Sequence, residues 1–477
     1  MDQDMAKPAF LYNLRPETYT PTVSQNLSPK GYLLSPAYAT RKAKELAQQV
    51  RFQEYRLMAD NGNFSHIEKL RAQFEATAQS LFLEVAKAEH QLGRSLRASD
   101  AFDSLRNKYR ALAKDVQNAA KQLAGNGEEN LQVQIELNPT SLIGVEDITL
   151  AAWLSLNIEP VYLDFPSATY RALNRSVAKR AVKRQKQLPE ALAQEYYPVA
   201  SASSYNTAFD VGSEFARKGL EKISMGFGAF MADDNWTDHV QIGTRTIVFK
   251  ERFPNRYIRT AAVAKGFWDG YMHQAGRPPK AFHFLGLGAL IMLPLVTLAA
   301  WETPDLTFDA TSPIKDALQG GTLYVTKPAY LKLRTQSIAY RLASDPTAEW
   351  NCPCPFCREF IANHPFQREL GFKWLKQTGA REVSSQDLRA KGALFSAFPL
   401  LSEPGAGPLR KAVNQARIGH NHWVLEEIMT DLGTATDRQD FQARVEGILK
   451  RYEENTKADR YGRAIRFAYN LITSLEE

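Results

Sequence analysis

The sequence predicts an α/β fold built on a parallel sheet, and three observations carry that expectation. From about residue 131 onward, short apolar runs alternate with segments of helical periodicity. The stretch 281–300, AFHFLGLGALIMLPLVTLAA, contains no formal charge, as strands buried on both faces do. Two of the expected strands end in glycine pairs, Gly226/Gly228 and Gly286/Gly288, which suit tight turns from strand to helix. At 477 residues the chain is long enough for a barrel with insertions.

Taken in order, residues 1–36 hold prolines and aromatics with little periodicity and read as an extended N-terminal arm. Residues 37–125 read as a helical region, free of proline and poor in β-branched residues. Breaks at Asp60-Asn61-Gly62-Asn63 and near Ser95–Ser99 divide it into three helices. A flexible linker, Gly125 to Asn130, leads into residues 131–477, the α/β part. Strands are expected near 132–137, 160–163, 222–225, 282–285, 306–308 and 322–325. An excursion at about 348–432 follows, and helices near 437–455 and 460–474 close the chain.

The stretch 281–300 could be mistaken for a membrane span, but His283, Gly286, Gly288 and Pro294 interrupt it. A strand, a glycine turn and a short helix describe it better, so no membrane partner is expected. The first ten residues are polar and lack the apolar core of a signal peptide. Lys plus Arg exceed Asp plus Glu, 59 against 52, giving a formal charge of +7 and a pI near 9.0. That excess favours a polyanionic partner.

All three cysteines fall within six residues, Cys352-Pro353-Cys354-Pro355-Phe356-Cys357. An odd count in one cluster argues against a disulfide framework. Three thiolates from one turn and a histidine would complete a structural zinc site with no open position. His420 is the expected fourth donor, followed by His422, because both stand at the start of an apolar-periodic run; His364 sits before a proline. Clustered reduced thiols and the missing signal segment point to the cytoplasm.

Two carboxylates stand where expected strands finish. Asp309 ends Leu306-Thr307-Phe308, and Asp164 ends Val161-Tyr162-Leu163. At the carboxyl rim of a barrel such groups read as catalytic, with a helix cap as the alternative. Two of them suffice for double displacement at an anomeric carbon. After Asp164 comes a run with seven positive residues and no acid, in which Arg171, Arg175, Lys179 and Lys183 recur at every fourth position. A phosphate backbone opposite that helical face would relieve their repulsion.

Together these pieces resemble the tRNA-guanine transglycosylase superfamily, and within it the DNA-acting branch of bacteria and phages. The matching residues are His283-Phe-Leu-Gly286-Leu-Gly288, Phe308-Asp309-Ala-Thr-Ser-Pro, Gly320-Gly321-Thr322-Leu323, the Cys352-x-Cys354-x-x-Cys357 knot and His420-Asn421, in the family's order over roughly residues 160–435. The resemblance implies a (β/α)8 barrel with a zinc-bearing insertion. It implies a DNA-guanine transglycosylase that replaces guanine by a 7-deazaguanine, such as the 7-cyano form, through a covalent glycosyl-enzyme. Asp309 would be the nucleophile, and Asp164 the general base. Gly228, Gly286, Leu287 and Gly288 would line the slot for the base. Where the family has Asp-Ser-Gly, this chain has Asp164-Phe165-Pro166, so Asp210 and Asp234 stand as substitutes. A target base must leave the stack to react, with a helper protein opening the duplex if one is needed. The alternatives are a tRNA-guanine transglycosylase and a non-catalytic zinc-containing nucleic-acid-binding subunit.

Overall fold

The computed structural model describes residues 8–16, 18–19, 26–97, 100–123, 127–158, 167–231, 233, 235–327, 329–335, 338, 347, 351–363, 407–456 and 460–474. Thirteen strands occur among them: β1 (Ala9–Asn13), β2 (Gly31–Leu34), β3 (Arg56–Ala59), β4 (Ser141–Ile143), β5 (Tyr196–Tyr197), β6 (Val199–Ala200), β7 (Lys222–Gly226), β8 (Trp236–Ile242), β9 (Arg245–Pro254), β10 (Ala281–Leu285), β11 (Asp305–Asp309), β12 (Thr322–Val325) and β13 (Leu331–Arg334). Nine form one all-parallel sheet in the order β5-β4-β3-β2-β1-β11-β10-β7-β6.

The two strands at opposite ends of that order are neighbours in the chain, separated only by Pro198. Proline has no N–H to donate, so the ladder breaks there. Its carbonyl still accepts from Ser224 N at 3.0 Å on one side, while Val199 N donates to Val145 O at 2.9 Å on the other. The sheet therefore curls until its edges meet, giving a nearly closed parallel barrel.

Side chains alternate across each strand. Leu11, Leu33, Met58, Ile143, Tyr197, Val199 and Ala281 form one apolar cluster inside the barrel. Residues of the opposite parity, among them Phe10, Tyr12, Tyr32, Leu57, Phe282, Phe284, Leu306 and Phe308, join the large core between sheet and helices. Because the strands are parallel, all their carboxyl ends meet at one rim, and that rim carries the site described below.

Several expectations need correction. The arm expected over residues 1–36 contains β1 and β2, and β1 pairs with β11 at the centre of the sheet. Both strands are four or five residues long and bracketed by prolines, too short for periodicity to register. The helical region does contain three helices, Arg41–Phe52, Phe64–Leu92 and Asp103–Leu123, but β3 lies between the first two. Of the residues expected as a strand at 132–137, residues 132–136 belong to the helix Gly127–Glu136, which also takes up residues 127–130 of the expected linker. The strand at 322–325 forms an antiparallel pair with β13 outside the barrel. Residues 160–163 lie outside the described residues.

Strands at 222–226, 281–285 and 305–309 agree with expectation, as do the closing helices Arg438–Thr456 and Arg460–Ser474. The stretch 281–300 is β10, a turn and the helix Met292–Ala299. Among the described residues no helix is long and apolar enough to cross a membrane. Helices Phe64–Leu92 and Asp103–Leu123 are inserted between β3 and β4. They share an apolar cluster with the barrel helix Ile148–Ser155, where Trp153 Nε1 donates to Ala113 O at 3.0 Å.

Candidate functional site

Asp309 ends β11 with its side chain directed inward, in step with Thr307 and Asp305 on the same strand. It is only 6% exposed. Its Oδ1 accepts from Gly286 N at 3.0 Å, and His283 Nε2 lies 3.3 Å from the same oxygen. His283 is fully buried, and its Nδ1 is 2.9 Å from Thr307 Oγ1. The turn after β10 thus supplies the backbone donor that holds the carboxylate, and β10 places the buried His283 ring beside it.

The two glycine turns expected at the rim do come together, on neighbouring strands. Gly286 has φ +73°, and a Cβ there would stand 3.2 Å from Gly228 Cα. Only glycine adopts that conformation without strain, and it points the N–H at Asp309. Gly288 packs on the helix after Asp309, since a Cβ would meet Ser312 Oγ at 1.8 Å. Leu287 is fully buried in the core between sheet and helices, so it could offer a ligand only its backbone.

Asp164 and Asp234 lie outside the described residues. Asp210 is on the helix Tyr205–Arg217, where it pairs with Arg171 at 3.3 Å. Among the described residues, a second carboxylate at the mouth beside Asp309 is Asp60. It follows β3 in the inward parity of Met58 and Arg56, and its charge and that of Asp309 repel each other. Burial first and Asp309 second push its carboxyl up to about 6, against hydrogen bonds from Ser35 and from the backbone N–H groups of Asn61 and Gly62.

A third carboxylate, Glu146, follows β4. Its Oε2 accepts from Asn61 Nδ2 and Asn63 Nδ2, each at 3.1 Å. Burial pushes Glu146 up to about 7, with the charges of Asp60 and Asp147 adding to the shift. Asp60 is hard to find from sequence because Leu57, Met58 and Ala59 are good helix formers and the Asp-Asn-Gly turn reads as a break between helices. An acid directly after an apolar run, followed two residues later by a glycine, is the signal that could have found it.

The metal-type cluster is assembled as expected. Cys352, Cys354, Cys357 and His420 bring their donor atoms within 4.8 Å of one another, and the last three residues are buried. His420 Nδ1 stands 3.4, 3.3 and 3.4 Å from the sulfurs of Cys352, Cys354 and Cys357. Its Nε2 is 2.8 Å from Tyr324 O, which fixes the ring with Nδ1 toward the thiols. His420 lies within the helix Gly407–Gly433, not at the first turn expected. His422 instead directs Nδ1 to Ile418 O at 2.8 Å and packs its ring 4.3 Å from Tyr12; burial pushes it down to about 4. The four donors could hold one metal ion.

The cluster is tied to the barrel mouth through Asn421. Its Oδ1 accepts from Tyr324 N at 3.0 Å, and its Nδ2 donates to Pro313 O and Thr322 O, both at 3.1 Å. Pro313 lies four residues beyond Asp309. From β1, Asn13 Nδ2 donates to Ala310 O at 3.1 Å, bracing the same loop.

The basic run forms the helix Ser167–Gln185. Arg171, Arg175, Lys179 and Lys183 are all exposed, but Asp210 relieves the repulsion at Arg171. The inner face anchors the helix: buried Asn174 donates to Ser201 O at 2.9 Å, just beyond β6. No protein-family model matches the chain, and no curated protein matches it.

Proposed function

We propose that the protein exchanges guanine in DNA for a 7-deazaguanine base, with Asp309 as nucleophile. The observation that carries this reading is the pair of inward carboxylates, Asp309 and Asp60, at the mouth of the barrel. Counting Tyr196–Ala200 as one strand interrupted at Pro198 makes eight barrel strands, the number in a (β/α)8 fold. The Asp60-Asn61-Gly62 turn also supplies the Asp-x-Gly pattern that Asp164-Phe165-Pro166 lacks.

In this scheme a carboxylate oxygen of Asp309 attacks C1′ of an extruded guanosine. The C1′–N9 bond breaks, and its electron pair leaves with guanine. Protonated Asp60, its carboxyl raised to about 6, gives that pair its proton. The incoming 7-deazaguanine then loses its N9 proton to the Asp60 carboxylate as N9 attacks C1′. Asp309 departs as the carboxylate it was at the start. A group whose pKa lies near the working pH suits both transfers. Gly286 N–H holds Asp309 in place with His283 beside it, while the paired glycines leave room for a flat ring.

For the metal cluster the reading is structural zinc. Bonds of about 2.3 Å to sulfur and about 2.0 Å to nitrogen in a tetrahedron set the N···S edge near 3.5 Å. The observed 3.3–3.4 Å fits that edge. Four protein donors leave no position for water, so zinc would brace the loop behind Asp309 and take no part in the transfer.

The decisive experiment offers labelled 7-deazaguanine with duplex DNA or with tRNA. Label in DNA is expected. Label in tRNA alone would make this a tRNA enzyme, and label in neither polymer would leave a binding subunit. Asp309→Asn should abolish incorporation; unchanged exchange would remove Asp309 as nucleophile.

A further inference from the structure

Between the inserted helices and the barrel lies a cavity of about 470 Å³, reaching Glu146 and Asp147 at the end of β4. Lys121, from the end of the helix Asp103–Leu123, lines one side. Arg180, Lys183 and Arg184, on one face of the helix Ser167–Gln185, line the other. Four cations therefore face two carboxylates. Asp147 is already engaged: its Oδ1 caps the helix Ile148–Ser155, accepting from Thr149 N at 3.0 Å, and Arg180 stands 3.7 Å from its Oδ2. Burial raises the Glu146 carboxyl to about 7, so near neutrality it is only partly ionised and offsets only part of the positive charge. Neither Lys121 nor Lys183 forms an ion pair among the described residues, although both line the same opening. Facing ammonium groups repel, and a polyanion threaded between them removes that repulsion.

We infer that this cleft is a phosphodiester site, in which Lys121 and Lys183 grip from opposite walls the strand that carries the exchanged nucleotide. The inference rests on the base-exchange reading for the identity of the polymer, and on charge and shape for the site itself. Its position fits that role. Asn61, which also lines the cavity, hydrogen-bonds Glu146 and directly follows Asp60, so a strand in the cleft would run beside the barrel mouth. The inserted helices thereby acquire a function, since they supply one wall of the cleft. The face expected from the sequence, Arg171 to Lys183, shares only Lys183 with this site.

The test measures the affinity of fluorescein-labelled duplex DNA, single-stranded DNA and tRNA over a KCl series, for wild type and for Lys121→Gln/Lys183→Gln. Loss of two phosphate contacts should reduce the slope of log K against log salt by about 1.8 on duplex and about 1.4 on a single strand. Lys218, exposed where the helix Tyr205–Arg217 returns to the opposite end of the barrel, is the control. An unchanged slope in the double variant, or an equal loss in Lys218→Gln, overturns the inference. Both lysines are exposed, so the variant should fold, and its circular dichroism melt verifies this. As a second measurement, a photo-crosslinking residue at Gln187 in the cleft should capture the oligonucleotide, and no crosslink counts against the site. Base exchange is measured in parallel. A lost slope without exchange on any polymer keeps the site and sinks the base-exchange reading, whereas exchange with an unchanged slope does the reverse.

Discussion

The backbone N–H of Gly286 donates to Asp309 Oδ1 at 3.0 Å across neighbouring strands. The bond depends on the left-handed conformation of Gly286, φ +73°. An alanine there costs about 1–2 kcal/mol for the conformation, and its Cβ would press on Gly228 Cα at 3.2 Å. Gly286→Ala should therefore lower stability by about 2 kcal/mol. On the base-exchange reading it should lower the rate of exchange by considerably more, because the donor leaves Asp309. Equal losses in melting and rate would reduce the glycine to a packing role.

Asp60 gives a prediction with a defined sign. Its carboxyl is raised to about 6, above the ordinary value of about 3.9, so the folded state binds more protons than the unfolded one between those values. Stability is then highest below pH 4 with respect to this group and is lost as pH rises to 6. The loss is at most about 3 kcal/mol, less what solvent screens. Glu146, raised to about 7, acts in the same direction between its ordinary value and neutrality. Asp60→Asn should melt higher relative to wild type at pH 7.5 than at pH 4.5, while exchange falls about 10²- to 10⁴-fold. A relative gain larger at pH 4.5 contradicts the assignment.

The parts of this molecule that could be read from sequence are those in which one residue type dominates over several positions. The cysteine knot declares itself because a thiolate has few uses in a reduced chain. Strands β7, β10 and β11 declare themselves because both their faces are buried, so Phe282, Phe284, Leu306 and Phe308 alternate with the buried, formally uncharged His283 and Thr307. β1, β2 and β3 do not. Each spans four or five residues, and Arg56 and Asp60 face the barrel interior, where polar groups hide the alternation. Asp60 was lost with its strand: without β3 in the sheet, nothing distinguishes a rim carboxylate from a turn. Glu146 was lost for a related reason, since its strand is three residues long.

Only the fold separates His420 from His422, because two residues along a helix turn the side chain through about 200°. His420→Ala should lose the metal, and His422→Ala should keep it. The readout is metal content per chain by mass spectrometry, beside the melting temperature. Chelation of wild type should destabilise the protein irreversibly, with no reversible loss of catalysis in a folded state. Full metal content in His420→Ala would move the ligand elsewhere.

Asn421 stands next to that ligand and makes three hydrogen bonds, to Tyr324, Pro313 and Thr322, from a fully buried side chain. Replacing it by alanine removes the acceptor of Tyr324 N–H in the interior, at about 1–3 kcal/mol, whereas Pro313 O keeps a bond from Asp316 N–H. Pro313 belongs to the short helix that follows Asp309, so the damage should extend beyond stability. The expected result for Asn421→Ala is full metal content, a melting temperature lowered by several degrees, and exchange slowed at temperatures where the protein is folded. Asn421→Asp separates the two roles, because a carboxylate can still accept from Tyr324 N but cannot donate to Pro313 O. If that variant binds metal and exchanges bases at the wild-type rate, the link between the metal lobe and the nucleophile loop carries no function.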